Sequence, residues 1–344
     1  MILPEYRFPV LSLRYLCIFL TLIQTGVACT IPVFRFALDR WHPDAYRLSV
    51  GAKEVADPAV ASFLRNLDAS SGINLEVSRG NADHSSLHTP ENDASSTEIW
   101  KGALTKSELD RLLQSPARKQ LVDQILAGSA AVWVLVENGD PIEAERSADI
   151  ISKRLRYLEQ VIRLPNIDPN DPSSRLGPGP PLKVAFSLLR IADPKAEEPL
   201  LNMLAAQTPE LRESKRPWVS VVFGRGRVLG SWPASSMEDA QIEELALFLS
   251  GACSCQVKRQ NPGWDLLLSA DWDTSLQAMG VPPTPTSGAD EPASKSTNLA
   301  AETLRIEASR PDENPPRSRR VPVAWAALLV VLAWSLMRRK LPPS

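Results

Sequence analysis

Apolar and polar residues alternate along this chain in several distinct rhythms, and the clearest begins at residue 129. SAAVWVLVENGD (129–140) places five β-forming residues in an unbroken run ahead of Asn138-Gly139, which predicts a strand buried on both faces and closed by a turn. ERSADIISKRLRYLEQVIRL (145–164) changes to helical spacing, with Ile150, Ile151, Leu155, Leu158 and Ile162 predicted on the apolar side. LKVAFSLLRI (182–191) predicts a second strand and EPLLNMLAAQ (198–207) a short helix. PWVSVVFGRGRVLGSWP (217–233) reads as two strands joined by a Gly-Arg-Gly turn, which is a hairpin with Arg225 and Arg227 pointing outward as binding residues for an acidic partner. QIEELALFLSG (241–251) predicts a closing amphipathic helix capped by Gly251. The predicted order is β-α-β-α-β-β-α.

The first half is less regular. A helix is predicted over 33–41, stopped by Pro43, then a strand over 46–50, a helix over 57–70 and a strand over 73–79. The polar stretch 80–98 reads as a loop. TKSELDRLLQSPARKQLVDQILAG (105–128) opens on a capping box, Thr105 with Glu108, and predicts helix that Pro116 kinks or splits. The overall expectation is an α/β fold: a degenerate N-terminal α/β unit (29–128) followed by a mixed sheet with flanking helices (129–279).

The ends of the chain carry targeting signals. Arg7 and Arg14 precede the apolar run YLCIFLTLIQTGVA (15–28), which ends on the small residues Gly26 and Ala28, the layout of a secretory signal peptide. Cleavage after Ala28 would make Cys29 the first residue, free for lipidation or for a disulfide. VPVAWAALLVVLAWSLM (321–337) has no charge and is followed by Arg338, Arg339 and Lys340. At about 1.5 Å per residue it would extend about 25 Å, enough for a transmembrane helix. Arginines flank both ends, so the positive-inside rule ties, and the signal peptide decides for an exported body with 338–344 as a cytoplasmic tail. Residues 280–320, rich in Pro, Ser, Thr and charge, read as a disordered tether. The expected location is a single-pass membrane protein with its body on the exoplasmic side.

A net charge of −2 over 344 residues offers no electrostatic case for nucleic acid. Three cysteines remain after signal removal: Cys29, Cys253 and Cys255. In an oxidising compartment Cys253 and Cys255 could bond each other, Cys29 could bond either, or a lipidated Cys29 could leave the other two to pair or stay reduced. A structural staple is the leading expectation. A thiol–disulfide oxidoreductase or electron relay using Cys253-Ser254-Cys255 is the alternative, with Lys258 and Arg259 as the charges able to lower a thiol pKa. Cys29-Thr30-Ile31-Pro32 has the spacing of a redox helix start, but no strand precedes it.

No metal site is expected: His42 stands alone, His84 and His88 fall in the polar stretch, and Asp265, Asp271 and Asp273 lack a calcium-loop pattern and read as caps. GRGRVLG lacks phosphate-loop spacing. No cofactor is called for.

The β-α-β-α-β-β-α order over residues 130–252 resembles the thioredoxin fold. Pro217 at the opening of the third strand, the turn 224–226 before an edge strand, and the closing helix 241–250 carry the likeness. The resemblance implies a mixed sheet with flanking helices and a cis-proline at Pro217. The sequence departs at the loop after the first strand, where the family carries CxxC and VENGDPIEAERS has no cysteine. PVFRFALDRW beside a signal-proximal cysteine is also similar to a family of exported bacterial proteins without an assigned activity. The expected role is a non-catalytic binding body, with a protein partner at the exoplasmic face and the membrane engaged by the C-terminal helix.

Overall fold

In the computed structural model, residues 30–69, 72–80, 82–91, 96–167, 171–253 and 256–279 are described. The signal-peptide, tether and transmembrane expectations, with Cys29 and Cys255, lie outside them. No helix among the described residues is long and apolar enough to cross a membrane.

The N-terminal half contains α1 (Val33–Arg40), β1 (Tyr46–Val50), α2 (Ala52–Val55), α3 (Pro58–Ala69), β2 (Leu75–Arg79), β3 (Ser85–His88), β4 (Glu98–Gly102), α4 (Lys106–Leu113) and α5 (Pro116–Leu126). Its strands form one sheet in the order β2-β1-β3-β4, parallel between β1 and β2 and antiparallel elsewhere. The polar stretch predicted as a loop therefore contains β3 and leads into β4. Its only large apolar inward residue is Leu87, so cross-strand pairing rather than hydrophobic alternation makes it a strand. The 105–128 helix is split as Pro116 requires. Thr105 Oγ1 accepts from the Glu108 amide at 3.2 Å, and Ser115 Oγ from the Arg118 amide at 3.3 Å, with Pro116 at the first position of the second helix.

The C-terminal half contains β5 (Ala131–Val136), α6 (Pro141–Val161), β6 (Phe186–Ile191), α7 (Glu198–Leu204), α8 (Glu210–Glu213), β7 (Trp218–Phe223), β8 (Arg227–Pro233), α9 (Asp239–Ser250), β9 (Trp264–Asp265) and α10 (Trp272–Met279). These strands form a second sheet, β6-β5-β7-β8-β9, in which only β5 and β6 are parallel. β8 is not an edge strand as expected, because Trp264 and Asp265 pair with Val228 and Arg227.

Period-two alternation explains the unbroken apolar run of β5. Ala131, Trp133 and Leu135 face one core with α1, α6 and α9; Val132, Val134 and Val136 face another with α4, α5 and α7. Tyr46, Leu48, Val50 and Leu87 of the first sheet enter that second core. The 128/129 boundary therefore separates two sheets but not two cores, and α1, from the first half, packs on the second sheet. Ile150, predicted on the buried side of α6, is exposed; the buried stripe is Ala144, Ala148, Ile151, Leu155 and Leu158. Gly251 is extended rather than left-handed, because its carbonyl accepts from Val33 N–H in a short ladder with the N-terminal segment.

Candidate functional site

The ends of β5 present different surfaces. At its carboxyl end, a cavity of about 250 Å³ is bounded by Val136, Asn138, Lys195, Glu198, Arg212 and Trp218. Parallel strands β5 and β6 both discharge their loops here, and this edge of an α/β sheet is where ligands generally bind. The floor is apolar: Val136 and Trp218 are buried and paired across β5 and β7. The rim is charged, with Glu198 shared between Arg111 at 3.9 Å and Arg212 at 3.7 Å.

Residues 137–140 occupy the position at which the thioredoxin resemblance would place a cysteine pair. Here Glu137 pairs with Arg190, which also holds Glu145 at 2.7 Å. These hydrogen bonds and charges raise the Arg190 guanidinium pKa and hold the Glu145 carboxyl below its ordinary value. Asp140 Oδ1 caps α6 by accepting from the Ile142 amide at 2.9 Å, and Pro141 fills the first helical position. Gly139 adopts φ +86° against the backbone of Lys215. A Cβ there would overlap the Lys215 carbonyl, so the loop after β5 and the segment leading into β7 touch backbone to backbone. Arg216 spans the same seam to Glu143 at 2.7 Å.

The expected cis-proline is corrected: the described residues contain no cis peptide bond, and Pro217 is trans. In that geometry its carbonyl accepts from the Ala234 amide at 2.9 Å, joining the entry of β7 to the exit of β8. Trans is also the preferred isomer by about 0.5–1 kcal/mol.

A larger groove, about 970 Å³, runs between α4, α5 and residues 268–275. Leu113, Val122, Leu126 and Leu268 supply its apolar wall. Arg118 lies buried behind it, donating to the Leu112 carbonyl at 2.5 Å and to Met203 Sδ at 3.9 Å. Burial pushes the Arg118 pKa down to about 10, against the upward pull of Glu197 and then Tyr46, and the side chain stays cationic at neutral pH.

The amino end of β5 carries the residues that the sequence singled out. Arg225 and Arg227 do not point outward. Each is buried because the hairpin turn folds under α1 and the 256–265 segment, which supply acceptors for both guanidinium groups. Arg225 donates to the Leu38 carbonyl at 2.8 Å and to His42 Nδ1 at 3.2 Å, and pairs with Asp273 at 2.8 Å. Arg227 donates to the Asn261 carbonyl at 2.9 Å, the Pro262 carbonyl at 3.1 Å and Asp265 Oδ1 at 3.2 Å. Its guanidinium lies 5.7 Å from the Trp41 ring.

Asp265 is the centre of this cluster. Besides Arg227 it takes Lys258 Nζ and, at 2.7 Å, the Asp44 amide. Burial lifts its carboxyl above the ordinary aspartate range, while Lys258, Arg227 and the Asp44 amide pull it back. Tyr46 donates to the Asp265 carbonyl at 2.8 Å, and burial, then Asp265, raise its pKa. Lys258 also holds Asp44 at 2.9 Å. Its charge is therefore directed at aspartates. Asp271 caps α10 by accepting from the Thr274 amide at 3.1 Å.

Cys253 is buried among α1 and α9, and its amide donates to the Ile31 carbonyl at 2.9 Å. It lies beyond the end of α9, near the amino end of β5; the loop 137–140 lies past the other end. The six residues of β5 put about 17 Å of strand between the two. His88 lies on β3, its Nε2 3.1 Å from Ser86 Oγ. The described residues contain no group of three or more His, Cys, Asp or Glu able to hold a metal.

Asn138, Lys195, Arg212 and Trp218 were not singled out from the sequence as site residues. The available signal was positional: turn residues at 138–140 and 192–194 follow two predicted strands that a helix separates. No protein-family profile matches the chain, and no curated protein matches its sequence.

Proposed function

We propose that the body is a thioredoxin-like binding domain, carried on the exoplasmic side of a membrane by the 321–337 segment, and that it engages a protein partner at the carboxyl end of β5 and β6. The strand order β6-β5-β7-β8, its single parallel pair, and the placement of α6 and α9 on one face with α7 on the other support the thioredoxin-like reading.

The observation that carries the binding reading is the sheet-end loop. Where thiol chemistry would need a nucleophile beside an open cleft, Gly139 abuts Lys215, Asp140 serves as a helix cap, and Glu137 and Glu143 are held in ion pairs. The adjoining cavity, about 250 Å³ with an apolar floor and a rim of Lys195, Glu198 and Arg212, suits one or two side chains of an extended segment. The relay reading would need access to the Cys253 thiol, and Cys253 is 1% exposed.

Two measurements test this. Insulin reduction by the full chain in the presence of a thiol donor should not exceed the rate with the donor alone; acceleration abolished by Cys253→Ser would defeat the binding reading. Selection of a random extended-peptide library on the same chain should enrich ligands that Arg212→Glu no longer retains. Enrichment indifferent to Arg212→Glu would place the partner elsewhere.

A further inference from the structure

Several acidic groups around the cavity at the carboxyl end of β5 are already engaged. Asp193 accepts from the Lys195 and Ala196 amides at 3.1 and 3.4 Å, and Glu197 turns inward to the Ala117 amide at 3.0 Å. Glu137 and Glu143 are held by Arg190 and Arg216. The cations of the rim are not spent in this way. Lys195 is exposed, and its ammonium has no ion-pair partner among the described residues. Among those residues Arg212 meets only Glu198, at 3.7 Å, beyond the length of about 2.7–2.9 Å that a charge-assisted hydrogen bond takes. Glu198 also lies 3.9 Å from Arg111, which has a closer partner in Glu108 at 3.1 Å. The side chains lining the cavity thus carry two positive charges and one negative.

We propose that the segment received here presents a carboxylate beside an aliphatic side chain, with the carboxylate on Arg212 and Lys195 and the aliphatic group against Val136, Leu201 and Trp218. The inference rests on the binding reading above and adds the chemistry of the ligand.

The floor favours an aliphatic group because a polar one would lose its water there. Charge sets the rest. A guanidinium offers a planar fork of N–H groups that matches a carboxylate, and that of Arg212 makes no hydrogen bond among the described residues. A basic residue at the same place would be repelled by Arg212 and Lys195. Glu198 acts as an internal competitor, since its carboxylate lowers the net charge of the rim without bonding to the Arg212 fork. Both an acidic side chain and a chain-terminal carboxyl supply the required group.

The test separates these two sources. The full chain in detergent is used to select from two random peptide libraries, one with amidated C-termini and all residue types, the other with free C-termini and no Asp or Glu. Enrichment of Asp or Glu beside an aliphatic residue in the first library assigns the carboxylate to a side chain; retention of free-carboxyl peptides whose amides are not retained assigns it to a chain end. Either supports the proposal. Selected peptides should bind about two- to fivefold more weakly to Arg212→Gln and to Lys195→Gln, more weakly as NaCl is raised, and more tightly to Glu198→Gln. All three positions are exposed, so the variants should keep the wild-type urea midpoint. Ligands that Arg212→Glu releases but that show no excess of carboxylates, no salt dependence, or weaker binding to Glu198→Gln overturn this inference and leave the binding reading standing. Ligands indifferent to Arg212→Glu, or no ligand from either library, overturn both.

Discussion

Replacing Gly139 by alanine tests the sheet-end seam directly. Two penalties combine there. At φ +86° an L-residue carries a conformational cost of about 1–2 kcal/mol. The added Cβ would also overlap the Lys215 carbonyl oxygen and lie 2.7 Å from its carbonyl carbon, where carbon–carbon contact requires about 3.5 Å or more. Because the obstacle is backbone, the 214–216 segment must shift, and overpacking of this kind costs about 1–3 kcal/mol. The expected loss is therefore about 2–5 kcal/mol. Gly128→Ala separates the terms. Its φ is +99°, but the nearest atoms to a new Cβ are side-chain carbons of Lys183 and Pro180 at 3.4 Å, so only the conformational cost of about 1–2 kcal/mol applies. Urea unfolding followed by tryptophan fluorescence reads both variants, and in thermal melts each kcal/mol corresponds to about 2–4 °C for a body of this size. If the two variants lose the same stability, the backbones of Gly139 and Lys215 are not in contact.

The buried cluster at the other end of β5 makes a separate prediction. Asp265→Ala leaves Arg227 and Lys258 without their shared carboxylate and should cost about 3–5 kcal/mol by the same urea assay; a loss below about 1 kcal/mol would mean that the carboxylate is not their counter-ion. Ser115→Ala removes the cap from α5 and should cost about 1 kcal/mol by the same urea assay; an unchanged midpoint would argue against the cap. The pH dependence rests on Asp171, whose carboxyl is held below its ordinary range by hydrogen bonds from Ser173 and Ser174. A depressed native pKa means stability that is present above the unfolded pKa of about 3.9 and lost as pH falls through the native value. Asp171→Asn should flatten the acid limb of a urea-midpoint titration between pH 5 and 2, and an unchanged limb would refute the assignment.

Local pattern was enough for much of the architecture. β5 was legible because a sheet covered on both faces needs apolar residues at every position, and residues 131–136 provide them. The helix split was legible because Pro116 has no amide to donate and Ser115 can cap the second helix. β3 was not legible: its pairing with β1 and β4 is non-local, and Ser85 and Ser86 look the same in a loop. β9 is two residues long and exists only because β8 offers an edge.

The candidate sites divide along the same line. That the loop 137–140 lacks cysteine is a property of the sequence, and it bears on redox chemistry at that edge without any coordinates. That Arg225 and Arg227 turn inward is not, because their carbonyl and carboxylate partners come from residues 38, 261, 262, 265 and 273, which only folding brings together. The sequence by itself determined the order and type of the central elements, through hydrophobic period, caps and proline. The tertiary structure decided which sheet the first helix joins, that two sheets share a core, and where each buried charge finds its counter-charge. Periodicity records only which face of a segment avoids water; burying a guanidinium or a carboxylate depends on acceptors and donors distant in the chain, and their convergence is a property of the fold.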